Sequence, residues 1–313
     1  MTSSGPAIVV DRLCKRYGAL LAVDDVSFTV ERGEVFAFLG PNGAGKSVTV
    51  EVIETIRTPT SGKVSVLDLD VGKRKAAIVR RIGVLPQSFS SFDRITVRES
   101  LRYFARVFGC KADIDALMDL TNLRDKADAR FNTLSGGLKQ RLGIAAALVN
   151  DPEIVFLDEP TTGLDPHARR QIWEVLKGLK GRGKTIFLTT HYMEEAEVLA
   201  DTVAIISQGK IVAIDTPARL TEMHAGKARL TLESIDASAL GLVARMGFTP
   251  TRTDDGNIGV PVKNADEVRA ILDEIRRAGL VLPGLDVRKP NLEEVFLKLT
   301  DAPGGDRVHG GDG

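Results

Sequence analysis

The stretch EVFAFLGPNGAGKS, residues 34–47, decides the fold. Its first six residues are short and almost continuously apolar, the pattern of a central strand covered on both faces. The next eight satisfy G-x-x-x-x-G-K-[ST] at every fixed position, directly between that strand and a helix expected to begin at Gly45. Glycine tolerates positive φ and close approach of the main chain. A loop of Gly40, Pro41, Asn42, Gly43, Ala44 and Gly45 can therefore wrap its N–H groups around phosphate oxygens at a helix N-terminus. Lys46 would neutralise the β- and γ-phosphates and the Ser47 hydroxyl would hold Mg²⁺. Val48 offers the phosphates only its backbone N–H.

Working outward, IVFLDEP at 154–160 supplies the other half of a metal site. Four apolar residues bury a strand and deliver Asp158 at its carboxyl end, beside the phosphate loop, where it can coordinate Mg²⁺. Glu159 comes one residue later, points differently, and suits the orientation and deprotonation of an attacking water. Further strands are expected at 23–30, 63–67, 82–85, 185–189 and 202–206, with helices at 97–108, 139–149 and 167–179. That alternation predicts a layered α/β core.

After about Gly226 the rhythm becomes strand 229–233, helix 237–246, strand 249–253, strand 258–262, helix 265–278 and strand 285–288. This βαββαβ order predicts a small α+β, ferredoxin-like domain over 226–300, closed by a helix at 292–299. Residues 1–225 form the larger domain. The Gly- and Asp-rich end, 301–313, carries almost no apolar side chains and is expected to be disordered.

Composition bounds the function. Lys+Arg and Asp+Glu are both 42 of the 313 residues, so the balanced charge lacks the footprint of a nucleic-acid binder and no nucleic acid is expected as partner. Cys14 and Cys110 have no metal-ligand spacing and read as reduced thiols of a cytosolic protein. The longest apolar runs fall well short of the ~18 residues needed to cross a bilayer, so any membrane part is expected on another chain.

With these motifs in place, the chain resembles the ATP-binding cassette family of transporter ATPases, strongly over residues 7–224. LSGG at 134–137, followed by Leu138-Lys139-Gln140-Arg141, is similar to that family's signature motif. Ser135, Gly136 and Gly137 would form a second anion site at a helix N-terminus. In the family that site grips the γ-phosphate of ATP held by the other subunit. Tyr17 in KRYG resembles the aromatic residue that stacks on adenine. Gln87 resembles the loop glutamine that reaches the metal and water while its loop faces the membrane partner. Asp165, in GLD, resembles the loop communicating across the dimer, and His191 resembles the switch histidine that contacts the γ-phosphate.

The resemblance implies a P-loop NTPase nucleotide-binding domain with an α-helical signature subdomain. It implies ATP and Mg²⁺ as ligands, a homodimer, and a separate membrane permease reached from the cytoplasmic face of the cell membrane. PTTGLDP and LTTHYMEEAE point to the exporter subgroup, and NLEEVFLKLT at 291–300 is similar to the ending of the daunorubicin-resistance-type ATPases. The alternative, a soluble ABC-type ATPase of DNA repair or translation, would carry coiled-coil insertions, zinc sites or two cassettes, none of which this chain shows. Val48 stands where the family usually has Thr, and Leu138 where it often has Gln or Met. Phe89 and Phe92, after Gln87, are candidates either to anchor a partner helix or to be buried in the core.

Overall fold

The computed structural model describes residues 5–225, 228–233, 238–253, 255–288 and 290–300, so the segment 301–313 lies outside the described residues. The chain forms two compact units divided between Pro217 and Ala218.

The first unit contains strands β1 (Ile8–Tyr17), β2 (Leu20–Val30), β3 (Val35–Leu39), β4 (Ser61–Val66), β5 (Leu69–Asp70), β6 (Ile82–Leu85), β7 (Ile154–Asp158), β8 (Thr185–Thr190), β9 (Thr202–Ser207) and β10 (Lys210–Asp215). Its helices are α1 (Lys46–Ile53), α2 (Lys75–Val79), α3 (Val97–Val107), α4 (Ile114–Leu120), α5 (Gly136–Ala147), α6 (Pro166–Gly181) and α7 (Met193–Leu199), and α8 (Pro217–Leu220) crosses into the second unit. A six-stranded sheet runs β10-β9-β3-β8-β7-β6, parallel except for its β10 edge. An antiparallel sheet runs β2-β1-β4-β5. Between the two sheets lies α1 in a common apolar core, where Phe28, Phe36, Phe38 and Phe187 pack with ring centroids 5.1–6.1 Å apart. Every residue of β3 is buried, as a central strand of a covered parallel sheet requires.

A second core, made by Val97, Leu101, Met118, Leu123, Phe131, Leu134 and Leu142, holds α3, α4 and α5 together as a helical subdomain. A Thr96–Glu99 capping box starts α3. The sequence pattern did not show β1 or β10. In β1 the apolar residues are interrupted by Asp11, Arg12, Lys15 and Arg16, and Arg12 adopts a left-handed φ of 50° where the register shifts. β10 is an edge strand of alternating exposure. Helix α5 begins before the expected Lys139 because Ser135 caps it through the two glycines, residues whose propensity argues against helix.

The second unit has β11 (Ala228–Glu233), α9 (Ser238–Arg245), β12 (Thr251–Arg252), β13 (Ile258–Val262), α10 (Ala265–Arg277), β14 (Gly284–Arg288) and α11 (Leu292–Thr300). Its sheet order is β12-β13-β11-β14 with every pairing antiparallel. Strands β11 and β12 therefore run the same way with β13 inserted between them, the split-βαβ arrangement. Leu230, Leu232, Val243, Val260, Ile271 and Ile275 form its core. The division falls earlier than the composition change at Gly226. The turn Thr221–Ala225 packs against α11, and Lys298 Nζ donates to the His224 carbonyl at 3.1 Å, so the turn belongs with the second unit.

Candidate active site

Strand β3 ends at Leu39, and the chain turns through Gly40–Gly45 into α1. Gly45 caps that helix with φ 101° and ψ 4°. A Cβ there would lie 2.5 Å from the Ala22 carbonyl oxygen, so both conformation and space demand glycine. Lys46 Nζ donates to the carbonyls of Gly40 at 2.6 Å and Pro41 at 3.0 Å, folding the side chain over the loop. Burial lowers the Lys46 pKa, while Glu159 and then Asp158 oppose that shift. Pro41, Asn42, Gly43 and Ser47 are exposed, Ala44 is buried, and Val48 is half-buried against the inter-sheet core. The apolar contact accounts for valine being tolerated at a position flanking the phosphate loop.

The acidic cluster forms across the parallel ladder. Register pairs Asp158, at the end of β7, with Thr189 of β8. The Thr189 hydroxyl donates to Asp158 Oδ1 and accepts from the Glu159 N–H at 3.2 Å. Glu159 itself has φ 49°, a left-handed conformation that turns its side chain away from the strand direction. Gln87 Nε2 and Thr162 Oγ1 both donate to Glu159 Oε2 at 3.0 Å. His191 Nδ1 lies 3.3 Å from Glu159 Oε1. Three sequence-selected residues, Gln87, Glu159 and His191, thus meet at one carboxylate. Thr162 and Thr189 also belong to the cluster and were not singled out. Both sit inside quoted motifs, but only the ladder and the turn show that their hydroxyls face the acids.

The donor set suits a hard cation: a Ser47 hydroxyl, an Asp158 carboxylate and the Gln87 amide are oxygen ligands of the kind Mg²⁺ takes alongside substrate phosphates. Asp158 is only half-buried and keeps oxygen lone pairs beyond its bond from Thr189.

Ser135, Gly136 and Gly137 lie at the N-terminus of α5. Ser135 caps α5 and is exposed, with its Oγ accepting from the Leu138 N–H at 3.4 Å. Leu138 is half-buried against the helical subdomain's core, so the departure from Gln or Met adds an apolar contact. A Cβ on Gly137 would lie 2.9 Å from Ala168 Cβ, which shows how closely α5 approaches α6. Among the described residues, no hydrogen bond or ion pair joins these three to Lys46, Asp158 or Glu159. Asp165 caps α6, accepting from the N–H groups of His167 and Ala168 at 2.9 Å, and those backbone bonds lower its pKa. Tyr17 is 39% exposed, with the Lys15 ammonium 5.1 Å from its ring centroid.

Beside Gln87 runs an apolar groove of about 540 Å³ whose walls include Val84, Phe89, Phe104, Phe108 and Ala146, with Glu54 in its lining. The two candidate aromatic anchors separate here. Phe89 packs on Phe104 and Phe131 at 6.0 and 6.2 Å, whereas Phe92 is 55% exposed and meets Tyr103 edge-on at 5.1 Å. No helix among the described residues is long and apolar enough to cross a membrane.

Residues 23–162 match the family model described as ABC transporter. The chain is 43% identical to the Nod factor export ATP-binding protein I of Rhizobium sp. (strain N33), over 91% of this chain and 94% of that protein. It is 41% identical to the protein of the same name from Bradyrhizobium diazoefficiens, over 96% and 98%. Among solved structures it resembles an ATP-binding subunit of an ABC transporter, with TM-score 0.62 and 28% identity over 69% of this chain and 92% of that one. It also resembles the dimeric post-hydrolysis state of the ATP-binding cassette MJ0796 bound to ADP and Pi, with TM-score 0.60 and 25% identity over 67% and 98%.

Proposed function

The chain belongs to the ABC transporter family and is an ATP-binding cassette ATPase of the exporter type, and from that premise we propose how its own residues carry out the work. Two copies close around two ATP molecules, each held by the Gly40–Ser47 loop of one copy and by Ser135, Gly136 and Gly137 of the other. That no hydrogen bond or ion pair joins Ser135, Gly136 or Gly137 to Lys46 among the described residues, and the exposure of Ser135, support a site completed in trans. Tyr17 stacks on the adenine, and Lys46 leaves its two carbonyl partners to meet the β- and γ-phosphates. Bound Mg²⁺, held by Ser47, Asp158 and Gln87, would neutralise charge on the phosphates.

Glu159 orients and deprotonates the attacking water, and His191, whose ring already meets Glu159, contacts the γ-phosphate. The observation that carries this reading is the convergence of Gln87, Thr162 and His191 on the Glu159 carboxylate. A positioned base needs such fixed neighbours. Closure across the dimer is coupled to a separate permease through the groove beside Gln87. The ATPase then acts peripherally on the cytoplasmic face of the cell membrane, driving efflux of a small or lipophilic cargo. The relatives' names, which state Nod factor export, support the outward direction.

Glu159→Gln tests the assignment. It is expected to keep ATP binding, prolong the ATP-bound dimer, and lower steady-state ATPase by about a hundredfold or more. A wild-type rate in that variant would refute it.

A further inference from the structure

Glu195, on α7 and four residues beyond His191, is a buried acid that the mechanism above does not use. It is wholly buried. Trp173 Nε1, on α6, donates to Glu195 Oε1 at 3.2 Å. The other oxygen, Oε2, is buried without a hydrogen-bond partner, and so is the hydroxyl of Thr161. The Thr190 and Thr161 hydroxyls both act on this carboxyl. Thr161 is two residues past Glu159, and Thr190 immediately precedes His191. One buried carboxyl is thus bonded to α6 through Trp173 and is influenced by two hydroxyls that lie next in sequence to the Glu159 turn and to His191.

We propose that Glu195 is a positioning residue for ATP hydrolysis, tying Thr161 and the end of β8 to Trp173 so that Glu159 and His191 keep the spacing needed to act on water and phosphate. The proposal rests on the roles assigned above to Glu159 and His191. Its chemistry follows from burial. A carboxylate with one N–H donor would be expensive to hold in the interior, and desolvation raises the Glu195 pKa against the opposing effects of Thr190, Thr161, Trp173 and Arg169. In the neutral acid, Oε1 accepts from Trp173 and a proton on Oε2 would give that oxygen a bond to donate toward Thr161 Oγ1, the other buried hydroxyl without a partner. The charged neighbour is Arg169 of α6. Its guanidinium lies 4.2 Å from the Tyr192 ring centroid and 3.9 Å from exposed Glu194, its Nε is buried without a hydrogen-bond partner, and its charge lowers the Glu195 pKa against the effect of burial.

The test uses the purified full chain with Glu195→Gln, Glu195→Ala and Thr161→Val, reading kcat, KM for ATP, the pH profile and thermal melting. Trp173 is the sole tryptophan, so its emission reports the site independently of turnover. Glu195→Gln, which retains a donor and an acceptor, is expected to stay within about threefold of the wild-type kcat with an unshifted pH profile. Glu195→Ala is expected to change Trp173 emission and lower kcat about tenfold or more at little changed KM, the signature of misplaced reacting groups. Should the alanine variant fail to fold, Thr161→Val removes a single hydroxyl and is expected to lower kcat in the same sense.

A folded Glu195→Ala protein with wild-type kcat overturns the proposal. So does a Thr161→Val protein with wild-type kcat, or a Glu195→Gln protein as impaired as Glu195→Ala, which would make an ionised carboxylate facing Arg169 the working group. Failure of the Glu159 assignment is read separately, from an active Glu159→Gln variant.

Discussion

Glu54, at the end of α1, offers a quantitative test of the electrostatics beneath the site. Its side chain is 8% exposed in the apolar groove beside Gln87. Desolvation, then the charges of Asp158 and Glu51, push its pKa up from 4.5 to about 8. Through the interval between those values the native state holds a proton that the unfolded chain has released. Stability is therefore lost as pH rises, at about 1.4 kcal/mol per pH unit. Glu54→Gln removes the titration and leaves a neutral group of similar shape. The difference in unfolding free energy between variant and wild type is expected to grow in the variant's favour by roughly 3 kcal/mol between about pH 5 and pH 8, then to level off. Any fixed cost of the amide is independent of pH and drops out of the slope. Urea unfolding followed by Trp173 fluorescence at a series of pH values measures it, because Trp173 lies in the same unit. A difference that stays constant from pH 5 to pH 8 would refute the idea that burial keeps Glu54 protonated.

Val48→Thr is expected to tighten ATP binding by about 0.5–1.5 kcal/mol through one added hydrogen bond, measured by nucleotide titration. Weaker binding would show that the half-buried apolar contact of Val48 governs affinity instead. Mixing Lys46→Ala protein with Ser135→Arg protein is expected to rebuild one intact composite site per heterodimer and recover ATPase that neither variant has alone. Normal hydrolysis by Ser135→Arg protein alone would rule out a site completed in trans.

Much of the candidate site was legible because its contributors are tied to local chain chemistry. A Gly-rich turn between a buried strand and a helix, or an acid at the end of an apolar run, has few other physical meanings. β3, β7 and α1 were readable for the same reason. The βαββαβ rhythm of the second unit was also readable, since its strands and amphipathic helices each repeat a clear period. β1 and β10 were not, because an edge or bulged strand buries only part of its length and interleaves charges.

What the sequence by itself determined is therefore most of the groups of the candidate site, and the order of elements that carries them. The tertiary structure alone decided which of them touch. Gln87 and His191 are far apart along the chain, and the parallel pairing of β6, β7 and β8 gathers them at Glu159, where a local turn adds Thr162. Burial likewise depends on what packs from other elements. The identical letter E is a half-buried acceptor for Gln87 and Thr162 at Glu159, a groove acid at Glu54 and a wholly buried partner of Trp173 at Glu195, because each carboxyl meets a different dielectric and a different set of donors.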